Sequence, residues 1–282
     1  MRHSLAAGQA VAGYRLLRLI GEGAHGQVFL SESPLDSRTV ALKLVPLAGG
    51  EDAAPARAAF LDAAAVAQRL QHPAIVAVHA AGVEGGLGWL AMELVSGGDL
   101  GRHTHGRPLL PERLVLLAAE RVAQALSHAH RHGVVHRDLK PANVLVDWPG
   151  DTVKLADFGL ARAVDAAQTG TGLVAGSPAY MAPEQLSGGV PTAQSDFYAL
   201  GVLLFQLLSG RLPHEGHSMG ELLRQVASVA APDLQALRAD LPPELAALVA
   251  RLLAKRAADR PTDGDALAAH LRSIRHLLAG CG

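Results

Sequence analysis

The sequence predicts an α+β protein in two parts: a small antiparallel sheet with one main helix, then a larger, mostly helical region. Up to residue 94 the chain reads as short apolar runs broken by glycine-containing turns, with one stretch of helical period among them. From Pro111 onward the apolar residues recur near every 3.6 positions. Within the second regime lies a polar stretch, Val135-His136-Arg137-Asp138-Leu139-Lys140-Pro141-Ala142-Asn143, flanked by the apolar runs Val134-Val135 and Val144-Leu145-Val146. Short strands on both sides can hold such a loop so that several charged groups surround one point.

At 282 residues the chain can bury two sizeable cores, and 49% hydrophobic against 18% charged residues argues against disorder. A net charge of −1 removes any general attraction to nucleic acid or anionic membrane. The single cysteine, Cys281, excludes an internal disulfide framework and fits a reducing compartment. No apolar run approaches the roughly 20 residues needed to span a bilayer. The N-terminus lacks the apolar core of a signal peptide, so the expectation is a soluble, cytoplasmic protein with no membrane span. His128, His130 and His132 alternate along a predicted helix and cannot share one face, which argues against a histidine metal site.

In chain order, residues 1–13 have no period and read as a loose leader. Tyr14–Ile20 reads as a strand, followed by Gly21-Glu22-Gly23-Ala24-His25-Gly26-Gln27-Val28 and a second strand over Gln27–Leu30. Glycines at these spacings let backbone amides approach phosphate oxygens. A dinucleotide fold would need a helix after them; here a strand follows. Val40–Val45 is a third strand with Lys43 inside its apolar run. Ala54–Gln71 has Phe60, Ala63, Ala64, Ala67 and Leu70 at helical spacing, and Pro55 suits the first turn. Ile75–Val78 and Leu87–Leu94 complete a predicted set of five strands. A long helix runs from Pro111 to Gly133, and Leu160–Ala175 has the irregular composition of a mobile segment. Helices are predicted from Asp196 to about Leu208, over Glu244–Ala254 and over Asp265–Leu278.

The polar loop supplies a carboxylate base in Asp138, a cation in Lys140 and an amide in Asn143; Asp157, in Asp157-Phe158-Gly159, adds a second carboxylate. Oxygen ligands of this kind suit magnesium. In order and spacing, these residues resemble the motifs of bacterial eukaryotic-type serine/threonine protein kinases. The likeness covers roughly residues 14–275, with "HRDLKPAN" and "SPAYMAPEQ" close in wording to that family. It implies the bilobal protein-kinase fold, with an N-lobe over 14–94, a hinge at 95–97, a C-lobe over 98–278 and a tail at 279–282. It implies ATP and Mg²⁺ as cofactors and Ser/Thr hydroxyls of proteins as substrates.

By the same resemblance, Asp138 handles the proton of the substrate hydroxyl and Lys140 neutralises the transferring phosphate, while Asn143 and Asp157 hold Mg²⁺. Lys43 contacts the α/β-phosphates. Gly21, Glu22, Gly23, Gly26, Val28, Ala41, Met92, Glu93, Val95 and Leu145 surround the nucleotide. Thr169 and Thr171 stand where relatives autophosphorylate, and Ser177 in the substrate-docking turn is placed to bridge toward Asp138 and Lys140. Glu184 and Arg260 form a buried ion pair, and Asp196 braces the catalytic loop. One departure is serious: the helix glutamate that pairs with the strand lysine falls on Ala63, with Asp62 about 100° round the helix. A nucleotide-binding pseudokinase or scaffold therefore stays open beside the enzyme, as does a role for an activating partner or dimer. A small-molecule kinase of related fold is disfavoured by the docking turn and Pro183-Glu184.

Overall fold

The chain enters its first sheet earlier than the sequence suggests. Ala10–Val11 (β1), expected within a loose leader, pairs antiparallel with the start of Tyr14–Gly23 (β2), Val11 opposite Tyr14. The turn between them has positive φ at both Ala12 (50°) and Gly13 (83°), the two-residue hairpin form. Alanine rarely occupies the first of those positions, so the turn carries no sequence signal. The computed structural model describes residues 5–23, 26–49, 53–104, 108–158 and 177–280; the segment 160–175, with Thr169 and Thr171, lies outside them.

Gly26–Glu32 (β3), Thr39–Pro46 (β4), Val78–Glu84 (β5) and Leu87–Met92 (β6) extend the sheet in the order β1-β2-β3-β4-β6-β5, all neighbours antiparallel. The sheet thus has six strands rather than five. The strand expected over Ile75–Val78 is displaced: β5 begins at Val78, and Ile75 makes only an isolated parallel bridge to Leu155. Gly85 and Gly86, both at positive φ, close a two-residue hairpin that puts Glu84 opposite Leu87 and fixes the register. That Gly-Gly pair was the readable signal.

Helix α1 (Ala53–Arg69) buries Ala56, Phe60, Ala64 and Ala67, a stripe at intervals of four and three residues. Phe60 is fully buried, and a Cβ at Gly88 of β6 would lie 2.7 Å from its ring. Glycine at 88 is what lets the aromatic ring reach the sheet. A separate cluster built on Tyr14, Leu16, Phe29, Leu42 and Leu44 fills out the core of this unit.

Cα packing divides the described residues into two compact units, one of 5–72 and 76–96, the other of 73–75, 97–158 and 177–280. The second unit carries a three-stranded sheet, β7 (Gly98–Asp99), β8 (Val144–Asp147) and β9 (Thr152–Leu155), in that order. Its helices are α2 (Glu112–Arg131), α3 (Pro183–Leu186), α4 (Ala193–Ser209), α5 (Met219–Ser228), α6 (Leu234–Leu237), α7 (Pro243–Leu252) and α8 (Gly264–Gly280). Every residue of α4 from Ser195 to Leu208 is buried, as a helix apolar on all sides requires. It ends at Gly210 in the left-handed conformation, φ 77°. Gly201 lets it approach α7, since a Cβ there would lie 2.7 Å from that of Leu252. Glu120, buried on α2, receives bonds from Arg272 (2.7 Å) and Arg275 (2.9 Å) of α8. Burial pushes the Glu120 carboxyl up, but the two guanidiniums outweigh it and hold it below the ordinary range. None of the helices, among the described residues, is long and apolar enough to cross a membrane.

The fully buried Phe60 gives the first test. Phe60→Ala should lower unfolding free energy by about 3–4 kcal/mol, the range for truncating a core aromatic, measured by urea denaturation.

Candidate active site

The β8–β9 hairpin sets the site. Val144 opposite Leu155 puts Asn143 and Ala156 across from one another just beyond the strand ends, and Ala156 N–H donates to the Asn143 carbonyl at 2.9 Å. Asp157, next in the chain, has φ of 70°. The two residues expected to hold a metal are thus brought to the same end of one hairpin. Asn143 is buried, and its Nδ2 donates to the Asp138 carbonyl at 2.7 Å and toward Asp138 Oδ2 at 3.4 Å. With Nδ2 committed, Oδ1 remains as a ligand for a hard cation, beside a carboxylate at 157; this all-oxygen donor set fits magnesium.

Lys140 donates to Asp138 Oδ2 at 2.6 Å, so ammonium, carboxylate and amide form one cluster. The loop's backbone is held from beneath. His136 is fully buried and edge-on to Phe158, with ring centroids 4.7 Å apart. Its Nε2 donates to the Ala156 carbonyl at 2.8 Å, and its Nδ1 accepts the Asp138 N–H at 3.3 Å. A carbonyl can only accept and an amide N–H only donate, so the imidazole is neutral with its proton on Nε2. Asp196, in the first turn of α4 and 1% exposed, accepts from His136 N–H at 2.8 Å and Arg137 N–H at 2.9 Å. His130 Nε2 of α2 donates to the same carboxylate at 2.8 Å.

Arg260 is buried and uses all five of its donors. Nη1 and Nη2 bind Glu184 at 2.7 and 2.9 Å, and the remaining N–H groups reach the carbonyls of Ala254 (2.8 Å), Gln194 (3.0 Å) and Lys255 (3.0 Å). Its guanidinium also lies over the Tyr198 ring, 5.0 Å from the centroid. Ser195 donates to Glu184 at 2.7 Å. Burial pushes the Glu184 carboxyl up, but the bonds from Arg260 and Ser195 prevail and hold it below its ordinary 4.5.

Around the docking turn, Tyr180 donates to Gln206 of α4, and burial pushes its phenol up to about 12. Ser177, expected to bridge toward Asp138 and Lys140, makes no side-chain hydrogen bond among the described residues. The Asp138–Lys140 contact is direct instead. Gln185 at the start of α3 accepts from Ala182 N–H (3.0 Å) and donates to the Arg137 carbonyl (3.2 Å).

In the first unit, Gly21, Glu22 and Gly23 end β2, opposite Val28, Gln27 and Gly26. Gly23 has open space where a Cβ would stand. Gly26 serves the sheet: its φ is 121°, and a Cβ would lie 2.0 Å from the Leu44 carbonyl oxygen. Lys43 is 5% exposed, between Val28 on β3 and Leu90 on β6. Ala41 pairs with Met92, and both are buried. Glu93 N–H donates to Ala77 O at 2.9 Å, whereas Val95 N–H meets no acceptor among the described residues. Ala63 is half-buried on α1 and Asp62 is exposed, so no carboxylate lies on its buried stripe. Leu145, half-buried on β8, belongs to the other unit.

His130, Gln185, Ser195 and Gln206 were not singled out from the sequence. His130 was weighed only as a metal ligand; its two-residue offset from His128 and His132 was the hint that it faces elsewhere.

With this geometry in place, the comparisons assign a class. A family model described as the protein kinase domain matches residues 14–272, and the chain belongs to that family. Among bacterial relatives, it is 42% identical over 217 residues to serine/threonine-protein kinase PknJ of Mycobacterium tuberculosis, covering 76% of this chain and 36% of the relative. It is 39% identical over 232 residues to serine/threonine-protein kinase PrkC of Bacillus subtilis, 81% of this chain and 34% of the relative. For serine/threonine-protein kinase PknL of Mycobacterium tuberculosis the identity is 39% over 225 residues, 79% and 56%. The chain therefore spans about a third to a half of the length of these relatives.

Glu184→Gln leaves the buried Arg260 charge without its counter-ion and should cost about 3 kcal/mol at neutral pH. Because the folded pKa of Glu184 is depressed, its contribution is complete above about pH 4.5 and is lost as pH falls through the folded value. Denaturation from pH 7 to pH 3 should show a steeper acid loss in wild type than in Glu184→Gln.

Proposed function

We propose that this chain transfers the γ-phosphoryl group of ATP to serine and threonine hydroxyls of proteins, with autophosphorylation at Thr169 or Thr171. The observation that carries this reading is the Asp138–Lys140–Asn143 cluster, seated on a loop whose peptide groups are bound to the buried Asp196. Phosphoryl transfer asks mainly for positioning and neutralisation of charge, and this loop is built for both.

In the mechanism, Asp138 accepts or orients the proton of the attacking hydroxyl. Lys140, 2.6 Å from it, offsets charge on the transferring group. Magnesium, when bound by Asn143 and Asp157, would neutralise charge on the phosphate oxygens. Lys43 is assigned to the α/β-phosphates, the Gly21–Val28 segment to the phosphate chain, and Ala41, Met92, Glu93 and Val95 to the adenine. Val95 is suited to that by its uncommitted N–H. The Lys140 position is typical of serine/threonine specificity. Ser177 contributes to the docking turn for the protein substrate.

Purified protein with Mg²⁺ and labelled ATP tests this directly. Wild type should label itself and a generic protein, while Asp138→Asn and Asp157→Ala should lose at least about a thousandfold in rate and keep the wild-type melting temperature. Nucleotide binding without transfer by wild type would favour a scaffold instead.

Absence of a carboxylate on the inner stripe of α1 adds a second expectation. Lysine is a flexible point charge, and a carboxylate on this stripe would add a group that directs it. Ala63→Glu should therefore raise kcat/KM, and Asp62→Ala should leave it unchanged. A tenfold fall in Asp62→Ala, about 1.4 kcal/mol of transition-state stabilisation, would show instead that α1 turns to bring Asp62 to Lys43.

A further inference from the structure

Arg137 precedes the proposed base and has a φ of 72°, where a residue with a side chain is strained. Such a conformation persists only where its neighbours impose it. Asp196 fixes one side of the residue by accepting its N–H at 2.9 Å. The other side is the peptide plane joining Arg137 to Asp138, which carries the Arg137 carbonyl and the Asp138 N–H. His136 Nδ1 takes the N–H at 3.3 Å, and Gln185 Nε2 donates to the carbonyl at 3.2 Å.

The orientation of the Gln185 amide is not free. Its Oε1 accepts the Ala182 N–H at 3.0 Å at the start of α3, so flipping the amide would set donor against donor there and acceptor against acceptor at Arg137. One planar group therefore spans from the backbone that follows the docking turn to the peptide that aims Asp138. Rotation of that peptide would swing the Asp138 side chain, and small misplacements of a reacting group reduce rate steeply.

We propose that Gln185 is a positioning residue for Asp138: it holds the Arg137–Asp138 peptide plane and ties it to the docking turn. This rests on the phosphotransfer reading above. A rival explanation is that Gln185 only caps α3, and substitution separates the two. Gln185→Leu removes both bonds. Gln185→Glu keeps an oxygen for Ala182 N–H, and a negative charge in a helix's first turn is favourable, but it sets an oxygen against the Arg137 carbonyl.

The experiment measures kcat, KM for ATP, melting temperature and amide exchange of the 136–139 segment for wild type, both variants and Asp138→Asn. We expect kcat to fall about tenfold in Gln185→Leu and Gln185→Glu with KM for ATP within about twofold. The melting temperature should drop in Gln185→Leu alone. Exchange over 136–139 should accelerate in both Gln185 variants and not in Asp138→Asn. Wild-type kcat in Gln185→Glu would reduce the residue to a helix cap and overturn the proposal, even if Gln185→Leu failed to fold. Should wild type transfer no phosphate, the phosphotransfer reading fails, and exchange decides the clamp by itself: unchanged protection over 136–139 in Gln185→Glu overturns it.

Discussion

The rest of the second unit depends on one buried carboxylate. Asp196 is 1% exposed, and a carboxylate removed from water is unfavourable by several kcal/mol unless hydrogen-bond donors replace the lost solvent. Three N–H groups do so, from His130, His136 and Arg137. Position in the first turn of α4 helps, because the helix dipole favours negative charge there. Since α4 is buried from Ser195 to Leu208, its N-terminal end cannot shift without disturbing the core. The loop carrying Asp138 thus takes its backbone geometry from a helix sixty residues further along the chain.

A second buried system is joined to the first through α4. Ser195, adjacent to Asp196, donates to Glu184, and Arg260 clasps the same carboxylate with two bonds while its other N–H groups bind backbone carbonyls. Glu184 lies in α3, directly after the docking turn. Tyr180 of that turn is tied to Gln206 near the far end of α4. Loop, docking turn and the segment after α7 therefore share one rigid reference. Hydrophobic packing sets where α4 lies, and hydrogen bonds to its polar residues transmit that position to the loop and turn around Asp138.

Much of this was legible where a local pattern carries it. The 3.6-residue period gave α1, α2, α4, α7 and α8, and the order of the motifs gave the family. What was not legible depended on turns with weak signals or on contacts between distant residues. Strand β1 was hidden because Ala12 is an unusual residue for its turn, while β5 could have been found from Gly85 and Gly86. Gly26 looked like a phosphate-loop glycine and proves to be required by the Leu44 carbonyl pressed against it. His130 and Gln185 act through partners sixty-six and forty-eight positions away, and no spacing rule reaches that far.

Five described non-glycine residues have positive φ, and two of them, Arg137 and Asp157, belong to the proposed active site. The others, Ala12, Ser37 and Asp151, lie in turns outside it, where a reversing chain needs such angles. In the loop no reversal explains them, so the strain must be imposed by neighbours. Arg137 is held by Asp196 and Gln185; Ala156, directly before Asp157, is held on both sides, its N–H donating to the Asn143 carbonyl and its own carbonyl accepting from His136. His136 makes the connection between the two, with one ring nitrogen serving Asp138 and the other Ala156. A second proton on this ring would set a donor against the Asp138 N–H, so the link works only in the neutral form. The backbones next to the proposed base, Asp138, and the proposed metal ligand, Asp157, are thereby joined through one buried imidazole.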